Sequence, residues 1–73
     1  MNKIKIHTEY ITLGQLLKFE NLVESGGFIK DFLADTTIKV NHILENRRGK
    51  KLYHKDQVEI EGVGIYEIIR DED

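Results

Sequence analysis

Four cations stand around one glycine in Arg47-Arg48-Gly49-Lys50-Lys51. Guanidinium groups offer a planar fork of donors that matches a phosphate, and ammonium groups act as mobile point charges. Gly49 permits a tight or left-handed bend through which neighbouring cations can converge. The run follows an alternating segment, Ile38-Lys39-Val40-Asn41-His42-Ile43. From Lys39 to Lys55 six Lys or Arg stand against the single acid Glu45, a net +5. The rest of the chain holds five Lys or Arg against twelve acids, a net −7, so a protein of overall charge −2 has gathered its positive charge into one segment. Such a patch is a candidate surface for a polyanion. The bland alternative is a solvated basic loop that only keeps the chain soluble.

A second candidate is Ser25-Gly26-Gly27, which at a helix start would present backbone amides to a phosphate. Its bland counterpart is a helix entry that needs a glycine turn, and the proximity of Lys30 and the basic run favours function. Lys18 gains meaning only if both helices present their lysines on one face. Tyr53 follows the basic run and could stack on an unpaired base, although packing at a sheet edge with a wet hydroxyl is the commoner use. Phe19, Phe28 and Phe32 read as core, with Phe28 the aromatic to check for exposure. The three histidines, His7, His42 and His54, lack metal-binding spacing. No nucleophile–base signature, phosphate-binding P-loop or dinucleotide glycine fingerprint is present. The expectation is a protein that is not an enzyme, with no cofactor, no metal and no small-molecule substrate.

These groups must be positioned by a domain of only 73 residues. Such a chain buries roughly 60% of its unfolded surface and has a thin stability margin. It has no cysteine, so packing alone must hold it, and this fits a cytoplasmic setting. No apolar run has the length of a membrane helix, and the basic start Met1-Asn2-Lys3 has no apolar stretch after it to make a signal peptide. The acidic end, Asp71-Glu72-Asp73, should lie frayed and away from the basic patch.

Alternation of Ile4 and Ile6 with lysines predicts a short strand. Thr12-Leu13-Gly14-Gln15 matches a capping box, and Ile11 and Leu16 have staple spacing, which predicts a helix from about Thr12 to Glu20. Asn21 to Glu24 reads as a connector. Phe28, Ile29, Phe32 and Leu33 predict a second helix from Ser25 or Gly26 to Ala34 or Asp35. Beyond it the period becomes two. Ile38 to Val40 is a strand, Asn41-His42 a hairpin turn and Ile43 to Glu45 the return. Lys55-Asp56 turns the chain into a strand over Gln57 to Glu61, and Gly62-Val63-Gly64 breaks it before a last strand over Ile65 to Ile69. The order β-α-α-β-β-β-β indicates an α+β fold, two short helices packed on a small, mostly antiparallel sheet.

Together these landmarks resemble the S4-type RNA-binding domain, and within it the stand-alone YaaA/YbcJ-like subgroup of bacterial proteins. The carrying residues are Ile11-Thr12-Leu13-Gly14-Gln15-Leu16-Leu17-Lys18, Ser25-Gly26-Gly27 with Lys30, Ile38-Lys39-Val40-Asn41, Arg47 to Leu52, and Asp56 with Val58-Glu59-Ile60. The likeness is strongest over residues 8–62 of a chain read as one domain, 1–73. It implies an S4-like fold, the alpha-L RNA-binding motif, with RNA held by the helix pair and the adjoining hairpin. Carried over by position, the implied RNA-contacting residues are Gln15, Lys18, Ser25, Gly26, Gly27, Lys30, Lys39, Asn41, Arg47, Arg48, Lys50 and Lys51. The chain departs from the family pattern at Phe28-Ile29 after the double glycine, at Asp35-Thr36-Thr37 where a glycine is usual, and at Asn41-His42 and His54-Lys55-Asp56, where the turns are usually Asn-Gly and Pro-Gly-Asp-like. Asp31 and Asp35 also dilute the positive field of the second helix.

The expected partner is structured RNA, ribosomal RNA or an assembling ribosomal subunit by resemblance, read through phosphate contacts and shape. Two rival readings are an adaptor that docks on an acidic protein surface and an accessory domain that assists an RNA-modifying enzyme or tRNA synthetase in trans.

Overall fold

The computed structural model describes residues 1–24 and 26–71. Ser25 and the acidic pair Glu72 and Asp73 lie outside the described residues. The elements run β1 (Asn2–Ile6), β2 (Tyr10–Thr12), α1 (Leu13–Phe19), α2 (Gly26–Asp35), β3 (Ile38–Val40), β4 (Ile43–Leu44), β5 (Lys51–Tyr53), β6 (Gln57–Ile60) and β7 (Gly64–Arg70). Five strands form one sheet in the order β1-β7-β6-β3-β4, and β2 and β5 form a separate two-stranded ribbon. Every pairing is antiparallel except β1 with β7, which run parallel with Ile4 opposite Ile68.

The alternation of the strands decides which face is covered. Ile4 and Ile6, Ile38 and Val40, Val58 and Ile60, and Tyr66 and Ile68 all turn to the buried side. There they meet Leu13, Leu16 and Leu17 of α1 and Ile29 and Leu33 of α2 in one core cluster. The α+β expectation of two helices on a small, mostly antiparallel sheet therefore holds. The last strand, whose inward face the sequence leaves open, turns Tyr66 and Ile68 inward.

Helix α1 begins as its capping box predicts. The Gln15 amide donates to Thr12 Oγ1 at 3.2 Å and the Thr12 amide donates to Gln15 Oε1 at 2.8 Å. Gly14 and Leu13 are not left as orphan donors either. Their amides reach the carbonyls of Arg48 (2.8 Å) and Lys50 (2.9 Å). The start of α1 is thus stitched to the basic loop rather than open to solvent.

The hairpin β3–β4 turns at Asn41 and His42, both at positive φ (51° and 71°), as a two-residue type I′ turn requires. Asn tolerates this conformation, and His carries the steric cost of its Cβ. We expect His42→Gly to stabilise the domain by about 0.5–1 kcal/mol, the relief of that strain less the added freedom of the unfolded chain. Urea denaturation would measure it. A lower midpoint for the glycine variant would mean that His42 packs productively.

Two corrections concern the aromatic residues and the ribbon. Phe19 and Phe28, read from the sequence as core, are 67% and 54% exposed, and only Phe32 packs against the core. The helices cover the sheet with one face each, so an aromatic off that face stays wet. The ribbon of β2 and β5 appears in no alternation long enough to predict it. It rests on Tyr10↔Tyr53, Ile11↔Leu52 and Thr12↔Lys51, with Leu52 fully buried between the ribbon and the core.

Candidate nucleic-acid interface

The basic loop is built around Glu45. Its carboxylate accepts from the Asn46 amide (3.1 Å), the Arg47 amide (3.0 Å), Arg47 Nε (2.9 Å) and Arg47 Nη2 (3.0 Å). This is the fork-on-fork geometry of a strong charge-assisted pair. The Glu45 side chain is only 10% exposed, while Arg47 is largely in solvent. The Arg47 guanidinium holds the Glu45 carboxyl down to about 2 from its ordinary 4.5, and Glu45 in turn raises Arg47.

Because the folded state prefers the ionised carboxyl, this pairing adds stability that is complete above about pH 4.5. It is lost as pH falls towards about 2. Glu45→Gln should remove that portion of the acid transition. Stability–pH curves for the two proteins should differ most above pH 4.5 and converge as pH falls towards about 2, and parallel curves would mean that the pair is not formed.

Arg47 is therefore a cation already answered by its neighbour, whereas Arg48 is not. Arg48 gives its carbonyl to the Gly14 amide and carries its side chain out between two shallow grooves. One, of about 360 Å³, is lined by Gln15, Lys18, Gly26 and Gly49 together with Arg48. The other, of about 470 Å³, joins Arg48 to Lys30 and Asn46. Arg48 thus bridges the cations of both helices and the first turn of α2, where backbone amides have no intrahelical acceptor. Gly27 is exposed in that same turn.

This closeness depends on Gly14, which the sequence reading did not single out for that role. A Cβ there would stand 3.3 Å from the Arg48 carbonyl oxygen, 3.4 Å from the Arg48 Cβ and 3.4 Å from Ile29 Cδ1. A methyl at position 14 would make the Arg48 carbonyl give way by a few tenths of an ångström. Gln15 spends its side-chain oxygen on the capping box, which leaves its amide nitrogen outward.

The remaining candidates lie elsewhere. Lys50 lines a third groove on the hairpin side, with Asn41, Ile43, Leu44, Glu45 and Arg47. Lys39 is half-buried on the sheet face away from the helices and stands in register with Glu59. Asn41 is committed to a turn lock. Its Nδ2 donates to Asp56 Oδ1 (3.1 Å) and its Oδ1 accepts from the Gln57 amide (2.9 Å). Asp56 Oδ2 meanwhile accepts from the Tyr53 amide (2.7 Å). This lock ties the β3–β4 turn to the β5–β6 turn.

Lys51 holds its Nζ 4.9 Å over the Tyr10 ring, and Tyr10 tilts against Tyr53 at 5.6 Å. Tyr53 sits at the edge of the ribbon, as expected of a sheet-edge tyrosine. Tyr10 is an unforeseen partner, since nothing in the sequence pairs it with position 53. Lys18 and Lys30 thus each share a groove with Arg48 on the helix side, whereas Lys50 lines a separate groove and Lys51 lies over Tyr10. Ser25 lies outside the described residues. Among the described residues, no helix is long and apolar enough to cross a membrane.

The sequence profile of the S4 domain matches residues 4–69. The chain is also 50% identical over 68 residues to a Bacillus subtilis (strain 168) protein named "Probable ribosome maturation protein RlbA". That alignment covers 93% of this chain and 96% of the relative.

Proposed function

The chain belongs to the S4 domain family, and from that premise we propose that it is a non-catalytic RNA-binding protein. It engages structured ribosomal RNA and takes part in maturing a ribosomal subunit. The observation that carries the reading is the meeting of Lys18, Lys30, Arg48 and the start of α2 along adjoining grooves. These cations come from three separate segments of an acidic chain, and among the described residues only Arg47 is ion-paired. The near full-length likeness to a probable ribosome maturation protein supports the choice of ribosomal RNA.

In this reading Lys18, Lys30 and Arg48 contact phosphates, with Gly26 and Gly27 offering backbone amides. Lys50 and Lys51 extend the contact along the hairpin and ribbon. Arg47 serves chiefly to hold the loop, and Asn41 to fix the turns. Gln15 is secondary, a polar lining residue of the Lys18 groove, and Lys39, on the sheet face away from the helices, lies outside this contact.

The test is crosslinking in cells followed by sequencing of the bound RNA, together with binding to ribosomal RNA fragments over a range of salt. About four neutralised phosphates give a slope of log affinity against log salt near −3 by the single-strand rule. Ribosomal RNA should dominate the crosslinks. Captured partners that survive nuclease treatment, with no RNA enrichment, would instead support an adaptor that docks on an acidic protein.

A further inference from the structure

We propose that the outer flank of α2 docks a polypeptide segment rich in lysine and arginine and bearing one apolar anchor side chain. The groove there, about 410 Å³, lies between the connector after α1 and the side of α2 away from the basic loop. Leu22, Val23, Phe28 and Phe32 supply its apolar floor, and Glu24, Asp31 and Asp35 its rim. It shares no lining residue with the groove that holds Lys30 and Arg48. Helix α2 therefore separates charge across its width, cations to one flank and carboxylates to the other.

The charges on this rim are costly within the domain itself. The last turn of a helix carries a partial negative charge and favours cations. Here that turn holds Asp35 and no basic residue, and Asp31 stands four residues before Asp35 as an unfavourable like charge. Among the described residues neither carboxylate belongs to an ion pair. A local preference broken without an internal gain points to a partner outside the chain.

That partner must be cationic, which excludes nucleic acid and selects a basic peptide. Phe28, more than half exposed beside these acids, gives the segment an apolar foothold. Rim charges then set encounter and specificity, and the floor holds the anchor. Because the two grooves are separate, docking here leaves the basic cluster free. The inference stands whether or not the RNA reading does.

The test uses the full chain, labelled with nitrogen-15, titrated with a short synthetic peptide of lysines and arginines flanking a central Leu-Phe. Amide shifts should concentrate at Leu22, Phe28, Asp31, Phe32 and Thr36. Asp31→Asn with Asp35→Asn should weaken binding about tenfold, as expected for loss of two rim pairs. That variant should fold at least as stably as the parent, because it removes a like-charge pair one turn apart and the Asp35 charge that opposes the helix dipole. Phe28→Ser should weaken binding similarly and provides a second, independent handle.

Equal affinity of the double asparagine variant would overturn the proposal, as would shifts scattered over the surface. A peptide with serine in place of Leu-Phe binding as well as the original would also overturn it, leaving only nonspecific charge attraction. Sedimentation that revealed self-association through this groove, uncompeted by peptide, would assign it to a second copy of the chain instead.

Discussion

Reversing Arg48 and Lys30 together to glutamate is expected to lower affinity for ribosomal RNA by about a hundredfold or more. Hydrogen bonds to charged groups are worth about 1.5–3 kcal/mol each, and the new carboxylates would add repulsion to that loss. The effect is specific to position. Arg48 stands between the grooves of both helices, so its removal disconnects Lys18 from Lys30. The salt slope should fall by about 0.7 for each phosphate contact removed, by the same single-strand rule. Arg47→Ala should change that slope little, because its fork is occupied by Glu45. Its effect should appear mainly in loop order and stability. Filter binding at several salt concentrations, with circular dichroism to establish folding, separates the two residues. A folded Arg48/Lys30 variant with parental affinity would remove the helix-side cluster from the RNA-binding account.

Leu52→Ala is expected to produce the largest loss of stability of any substitution outside the main sheet and helices. Leu52 is fully buried and joins the β2–β5 ribbon to the core. Truncating a buried leucine costs about 2–5 kcal/mol. A domain of this size has about 4–11 kcal/mol in total, so much of the margin would go. The loop from Arg48 to Lys50 should detach first, since β5 begins immediately after it and α1 holds only its carbonyls. Urea denaturation should report the lower midpoint, and amide exchange should report early opening at Leu13 and Gly14, whose amides bond that loop. Ile43→Ala or Leu44→Ala, on the exposed β4 strand, should change stability little. A Leu52→Ala protein with an unchanged midpoint would mean that the ribbon is an ornament of the fold rather than part of its support.

The sequence is most legible where the determining contacts are local. Thr12 and Gln15 are three residues apart, and their reciprocal bonds depend on nothing else in the fold. Strands β1, β3 and β6 announce themselves by alternation, because one face of each is buried. What stayed hidden depends on pairing across the chain. Tyr10 to Thr12 is too short to display a period, and its partner strand lies some forty residues later. The exposure of Phe19 was equally hidden, since helical spacing gives a face but not how much of it is covered.

The candidate site divides the same way. Clustering of Arg47, Arg48, Lys50 and Lys51 is plain in the chain, and the resemblance extends it to Lys18 and Lys30. That Arg47 is answered by Glu45 could not be read, because it requires the loop to curl back over two residues. Nor could the tight fit at Gly14, which becomes visible only when the Arg48 carbonyl is seen against the helix.

The parallel union of β1 with β7 has a consequence for the order of events during synthesis. The first strand made has no neighbour in the sheet until the last has left the ribosome. Until then Ile4 and Ile6 must wait uncovered while the hairpins behind them assemble. Completion of the sheet is therefore tied to β7, and the slow, long-range closure should set the folding rate. A nascent chain arrested before β7 would hold its helix pair and central hairpin but lack the strand that closes the sheet.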